Sequence, residues 1–361
     1  MKSQVEKSNN ICNRKCYIDL LKVIAIIMVL YNHRGGYWWG PSMDTPITFS
    51  IILKLVIAEI CKAGAPLFFV CSGILLLGKD ESLTYILRHR VMRIICVMSV
   101  LAVYNVIVGD FSLHGLYDFF FTGFNWFLYA YLLFLMMLPF LRELVKCDEN
   151  MMVFFIFIVG VFYAVAGQAI VTNVNPLAGM TNNAQSIFYH NGTHGGWNIV
   201  YPVSGYFIYE LLNRDDKISS ILFKIITILG GCSVFVSVLV YYRDLYLTNA
   251  SNYEMIRQNF IYFPTLSIEA VLVKYNEKIA SVLKIKGADI IKSLAELTFG
   301  IFLLETCTDI RKIWGPLTED IVATLKLSDY NTILFKVLFA YVMYSIIVFT
   351  IRFVPLVKKI L

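Results

Sequence analysis

The chain has 361 residues, of which 58% are hydrophobic and only 16% are charged, and its formal net charge is +6. Soluble domains average about 45–50% apolar and about 25% charged residues, so this composition excludes an ordinary water-soluble domain and favours a protein embedded in a lipid bilayer. The positive charge comes from lysines and arginines that lie mainly between apolar stretches. We therefore interpret it as a membrane-topology signal and expect no nucleic-acid partner.

Apolar stretches of near-spanning length recur along the whole chain. They lie near 17–34, 50–78, 91–109, 125–141, 151–170, 198–212, 221–242, 259–275, 289–308 and 333–355. A membrane-spanning helix needs about 20 predominantly apolar residues. We therefore predict an all-α protein, a polytopic membrane helical bundle with about ten transmembrane helices. Its predicted organisation is a cytoplasmic N-terminal segment, 1–16, followed by one transmembrane domain, 17–361.

The distribution of basic residues predicts the orientation of this bundle. Clusters of lysine and arginine occupy alternate connections, whereas the connections 110–124 and 171–197 contain neither residue. Because basic loops are retained in the cytoplasm, we expect a multi-pass plasma-membrane protein with both termini cytoplasmic. The first apolar stretch lacks a cleavage pattern of small residues, so we expect it to be retained as a span.

The ionisable residues of the first apolar stretch include Asp19, Lys22 and His33. Each helical residue turns by about 100°, so Lys22 and His33 lie on one face, about 16 Å apart along the axis. Ionisable groups at bilayer depth are costly and usually face a protein cavity, so this face is predicted to line a site. A neutral imidazole there can accept a proton from a hydroxyl. Asp19 lies one turn before Lys22, and pairing with that cation is its alternative role.

Several motifs occur in a fixed order along the chain. They are Lys22-x10-His33, Pro66-Leu-Phe-Phe with Ser72-Gly73, Arg90-x-x-Arg93, Trp126-Phe-Leu, and LTFGIFLLE ending at Glu305. In this order they resemble the acyltransferase family 3 of integral membrane proteins, over most of the chain. The sequence departs from the family at two positions. The family usually has arginine where Lys22 stands, and it often has histidine where Glu305 stands.

The resemblance implies transfer of an acyl group, most often acetyl, from cytoplasmic acyl-CoA to a hydroxyl of an extracytoplasmic or lipid-linked cell-envelope glycan. Acetyl-CoA is then a donor substrate, and no permanently bound cofactor is expected. The implied roles are catalytic for His33 and Glu305, donor-binding for Lys22, Arg90 and Arg93, and substrate-binding for Asp19 and Trp126. Coenzyme A carries several phosphate charges, which fits paired arginines at a cytoplasmic mouth.

Two alternatives to this interpretation stay open. One is a membrane transport module for an amino acid or another small solute, because related membrane domains occur fused to amino-acid racemases. The other is a solute carrier without chemistry, although no pair of corresponding broken helices in two halves favours it. His190 and His194 have a metal-compatible spacing only on a helix, and Asn191-Gly192 disfavours a helix there, so no metal site is expected.

Overall fold

The computed structural model describes residues 16–37, 39–108, 126–159, 197–214, 216–247 and 259–353. Within these ranges every regular element is helical and there is no strand, so the predicted all-α class is confirmed. The N-terminal segment up to residue 15, the connection 110–124, residues 160–170 and the loop that carries His190 and His194 lie outside the described residues.

The helices of the described residues are numbered here in chain order. They are α1 Cys16–Tyr31, continued by a π-helical turn Asn32–Gly36; α2 Phe49–Cys61; α3 Gly64–Leu76; α4, which joins Leu83–Tyr85, a π-helical stretch Ile86–Val91 and Met92–Val108; α5 Trp126–Leu144; α6 Glu149–Phe154, continued by a π-helical turn Phe155–Val159; α7 Trp197–Leu212; α8 Lys217–Leu247; α9 Tyr262–Lys274; α10 Asn276–Thr306; α11 Thr308–Leu325; and α12 Asp329–Ile351.

Four helices in the described part of the chain are long and apolar enough to cross a bilayer. They cover Cys16–Gly36, Trp126–Leu144, Lys217–Arg243 and Asp329–Ile351. The predicted count of about ten transmembrane helices is therefore not confirmed. The apolar stretch 50–78 is divided into α2 and α3 by a turn at Lys62 and Ala63, and non-helical backbone at Lys284 interrupts α10. Hydropathy alone does not detect the break between α2 and α3, because mostly apolar residues flank it, whereas Lys284 lies outside the predicted apolar stretches.

Helix α11 lies outside all of the predicted apolar stretches. Its charged residues and Pro316 interrupt the apolar positions, so a search for continuous apolar runs does not find it. Among the described side chains of α11, Thr318 is buried and the others are exposed or partly exposed, as Leu317 is. The helix thus lies at the edge of the bundle, where it contacts α10 and α12.

Helix α1 is the central helix of the bundle. Of the spanning window in Cys16–Gly36, 61% is buried within the protein, against 28% for the window in α12. Leu21, Ala25 and Leu30 are fully buried, and α1 packs against α3, α10 and α12. Since α1 is surrounded by protein, its Asp19 and Lys22 face neighbouring helices and cavities, whereas the side chain of His33, beyond the end of α1, is 40% exposed.

Close approach of α3 to two neighbours depends on glycines. A Cβ atom on Gly64 would lie 2.8 Å from the backbone nitrogen of Val29 in α1, and one on Gly73 would lie 2.0 Å from the carbonyl oxygen of Pro202 in α7. Small residues allow membrane helices to pack closely in this way. These two contacts hold α3 between α1 and α7 and fix the direction of its remaining side chains.

Candidate functional site

A cavity of about 380 Å³ lies between α1, α3, α4, α5 and α10. Its basic lining consists of Lys22, His89, Arg90, Arg93 and Arg352. The fold thus brings together three predicted donor-binding residues that are far apart in the sequence. Aromatic and apolar side chains, contributed mainly by α3, α5 and α10, form the rest of the wall. A concave site of this volume, with polar groups at one part of a mainly apolar lining, is typical of small-molecule binding.

One carboxylate fixes Arg90 in place. The Arg90 Nε atom donates to Oε2 of Glu81 at 2.8 Å, and its Nη2 atom donates to Oε1. Arg142, at the end of α5, donates to the same Oε2 atom at 2.9 Å and to the carbonyl oxygen of Leu76. The hydrogen bonds from Arg90 and then Arg142 lower the pKa of Glu81 from 4.5 to about 2. The cluster is therefore complete above about pH 4.5 and is lost only as the pH falls toward 2.

The other two arginines of the cavity are held differently. The Arg93 guanidinium lies over the ring of Phe299 at 5.8 Å, a cation–π geometry. Arg352 lies 3.3 Å from Oε2 of Glu296, which also lines the cavity. The spacing of Arg90 and Arg93 corresponds to about one turn of a regular helix, but Arg90 belongs to the π-helical stretch of α4. Both side chains nevertheless line the same cavity.

Lys22 lies between the cationic cavity and a second pocket. Its Nζ atom is 3.9 Å from Oδ1 of Asp19, so the two form a loose ion pair. The second pocket has a volume of about 530 Å³, and its polar lining comprises Asp19, Lys22, Lys79, Tyr206, Tyr209 and Glu210. Asp19 therefore contacts the second pocket and not the cationic cavity, whereas Lys22 lines both.

His33 and Glu305 meet at the end of α1. His33 belongs to the π-helical turn, which ends at non-helical Arg34 and at Gly35 with φ of 99°. Its Nδ1 atom lies 3.6 Å from Oε1 of Glu305, whose side chain is fully buried. π-Helical turns occur frequently at functional sites because they redirect side chains within a helix. The two predicted catalytic residues are thus neighbours, although the sequence separates them widely.

Arg34 holds the other oxygen of this carboxylate. Its Nη2 atom donates to Oε2 of Glu305 at 2.6 Å and to the hydroxyl of Tyr344 at 2.8 Å. A buried carboxylate is costly unless it is paired, so Arg34 stabilises the ionised form of Glu305. The remaining oxygen, Oε1, faces Nδ1 of His33 at 3.6 Å, which is longer than a hydrogen bond. Sequence reasoning missed Arg34, and its only local signal is its position directly after His33.

The cavity and the His33–Glu305 pair lie at two levels of the same helices. On α10, Thr298, Phe299 and Phe302 line the cavity, and Glu305 follows Phe302 after three residues, about 4.5 Å further along the axis. On α1, Lys22 lines the cavity and His33 lies beyond the end of the helix. Because α1 and α10 contribute residues to both levels, the packing of these two helices fixes the distance between the cavity and the His33–Glu305 pair.

A family model described as an acyltransferase domain, of the acyltransferase 3 type, matches residues 16–354. The chain belongs to the acyltransferase 3 family. The match covers nearly the whole chain and confirms the resemblance drawn from the motifs, so the protein is a membrane acyltransferase. No curated protein and no solved structure matches the chain significantly.

Trp126 of this acyltransferase does not line the cationic cavity. Its ring packs edge to face against Trp197 at 6.2 Å and against Phe127 at 5.8 Å, and Phe127 does line the cavity. The predicted substrate-binding residue is thus placed behind the wall of the cavity near the start of α5. Among the described residues, no group of three or more histidine, cysteine and acidic side chains could hold a metal ion.

Proposed function

We propose that this acyltransferase moves an acetyl group from cytoplasmic acetyl-CoA to a hydroxyl of an extracytoplasmic or lipid-linked cell-envelope glycan. One observation carries the proposal: a cationic cavity and a histidine–glutamate pair occupy successive levels of α1 and α10. The cations of the cavity can bind the phosphates of a donor, and the histidine–glutamate pair can deprotonate the hydroxyl of an acceptor. Two substrates that approach from opposite sides of a membrane require such an arrangement.

The donor is held through its phosphates. Lys22, Arg90 and Arg93 supply the cations, and charge-assisted hydrogen bonds from arginine to phosphate are among the strongest in proteins. Arg90 is oriented in advance by Glu81, so less side-chain freedom is lost when the donor binds. The uncharged thioester end of the donor then extends along the aromatic wall toward Phe302 and the level of Glu305.

The reaction proceeds by general-base catalysis at His33. Nε2 of the imidazole accepts the proton of the acceptor hydroxyl as that oxygen attacks the thioester carbonyl carbon. The new carbon–oxygen bond forms the ester, the carbon–sulfur bond breaks, and the coenzyme A thiolate leaves with the proton returned by the imidazolium. Glu305 stabilises the positive charge that His33 carries between these two proton transfers, as an orienting carboxylate does in other catalytic constellations.

The test is transfer of labelled acetyl from acetyl-CoA by the purified protein in lipid vesicles, with envelope glycans of a deletion strain as acceptors. Mass analysis of the envelope glycans with and without the gene supplies the second measurement. We expect an ester-linked acetyl mass that depends on the gene and is released by mild base. If labelled acetyl-CoA is neither bound nor consumed and the glycan masses are identical, the transport alternative becomes the better account.

Replacement of Arg93 by alanine is expected to weaken acetyl-CoA binding about 10- to 100-fold, because one charge-assisted hydrogen bond contributes roughly 1.5–3 kcal/mol. The measurement is binding of acetyl-CoA to the purified protein. Arg88→Ala is the matched control, since Arg88 is an exposed arginine of the same helix that does not line the cavity. Equal affinities of the two variants would remove Arg93 from the donor site.

A further inference from the structure

Three phenylalanine rings close the cavity at the end away from its arginines. Phe68 on α3, Phe127 on α5 and Phe302 on α10 all line the cavity. The centroid of Phe68 lies 6.1 Å from that of Phe127 and 6.3 Å from that of Phe302, and the last two are 4.8 Å apart. The rings therefore form a closed triangle with one member from each helix, which we call the phenylalanine triangle.

The phenylalanine triangle marks the outer limit of the cavity on all three helices. Further lining residues of α3 and α5 lie toward Leu76 and Arg142, which meet beside Glu81 and Arg90. On α10, the lining continues from Phe302 back to Phe299, which contacts Arg93. In the opposite direction, the next helical turn of α10 carries Glu305. The triangle thus lies between the cationic end and the catalytic level.

The triangle is backed by further rings and has little room to move. Phe127 is 5.0 Å from Phe69 and stacks on Tyr131 at 5.9 Å. Only 6% of Phe127 and 7% of Phe302 is exposed. Protein interiors are packed densely, so inserting even one additional methylene into such a site forces neighbouring side chains to shift. A wall of this kind discriminates ligands by size.

We propose that Phe68, Phe127 and Phe302 determine acyl-chain length, accepting acetyl and excluding longer acyl groups. The inference rests on the proposed function, because it takes the donor phosphates to be held by the arginines at the other end of the cavity. The thioester carbonyl then lies at the triangle, and the acyl chain projects between the rings toward the level of His33 and Glu305. A short acyl group fits beside the rings, whereas each additional methylene contacts them.

The experiment compares kcat/KM for acetyl-, butyryl- and hexanoyl-CoA in the purified protein reconstituted in lipid. We expect Phe302→Ala and Phe127→Ala to raise the ratio of butyryl to acetyl transfer at least tenfold, since one methylene in an apolar pocket changes discrimination by about 10–200-fold. Phe302→Leu keeps more of the volume and should give an intermediate ratio. Because leucine fills more of the space than alanine, Phe302→Leu should remain folded and allows the ratio to be measured even if an alanine variant unfolds.

A buried phenylalanine away from the triangle provides the control. Phe68 lines the cavity, whereas Phe207 on α7 packs against Phe155 and does not line it. Phe68→Leu should therefore raise the butyryl-to-acetyl ratio and Phe207→Leu should leave it unchanged. An unchanged ratio in the folded Phe68 and Phe302 variants, or an equal rise in Phe207→Leu, overturns the selectivity proposal alone. Wild-type protein that binds none of the three acyl-CoAs overturns the proposed function and this inference with it.

Discussion

Replacement of His33 by alanine is expected to lower acetyl transfer by about 10²–10⁴-fold, the usual contribution of a positioned general base. Acetyl-CoA binding should change little, because His33 does not line the cationic cavity. The measurements are initial rates of acetyl transfer and equilibrium binding of acetyl-CoA on the same preparations.

Asn32→Ala is the matched control for this variant. Asn32 lies in the same π-helical turn and donates from Nδ2 to the carbonyl oxygen of Cys61 at 2.9 Å. Its removal costs about 1 kcal/mol of stability, as loss of a hydrogen bond usually does, and should leave transfer within a few-fold of wild type. Near-wild-type transfer by His33→Ala would contradict the catalytic role of His33. Equal losses in both variants would instead point to the conformation of the turn.

Glu305→Gln is expected to lower both activity and stability. The substitution leaves the Arg34 guanidinium, which is only 17% exposed, without its charge partner. Breaking a buried ion pair on one side costs about 3–5 kcal/mol, and the remaining exposure of Arg34 places the expected loss at about 3 kcal/mol. The same change removes the carboxylate beside Nδ1 of His33, so acetyl transfer should fall as well. Thermal unfolding and the rate of acetyl transfer measure the two effects.

The double variant Arg34→Met/Glu305→Gln separates these effects. It removes both charges of the pair, and neutral replacements of similar volume often restore the stability that a single substitution loses. We therefore expect unfolding close to that of the wild type while acetyl transfer stays low, because His33 still lacks its carboxylate. Recovery of activity together with stability would mean that Glu305 only neutralises Arg34, and the catalytic role of Glu305 would be wrong.

The placement of Arg34, Gly35 and Tyr344 explains how a glutamate is accommodated at position 305. Helix α1 ends in the π-helical turn, where Gly35 has a positive φ. Arg34 in this turn therefore reaches both Glu305 of α10 and Tyr344 of α12. Glycine adopts positive φ at little cost, which allows the sharp end of the helix. The carboxylate is therefore enclosed by His33 and Arg34 from the end of α1 and by Tyr344 from α12, and its side chain is fully buried.

Local features of the sequence determined the helical class, the membrane setting and the family of this protein. Apolar runs predict helices because every backbone polar group must be satisfied within the bilayer. The motifs around Lys22, Arg90 and Glu305 indicated the family because they occur in a fixed order along the chain. These signals are carried by neighbouring residues, so they can be read without knowledge of the packing.

Tertiary structure alone decided how the helices are broken and which charges meet. Arg34 and Glu305 are separated by 271 residues and Arg142 and Glu81 by 61, so neither pair has a local signal. The break between α2 and α3 lies within a single apolar stretch, and the kink at Lys284 lies between two predicted apolar stretches, so neither position follows from hydropathy. Whether a charged side chain lines a cavity, pairs with another charge or supports a neighbour depends on the elements that pack around it. That arrangement follows from the close contacts of α1, α3 and α10.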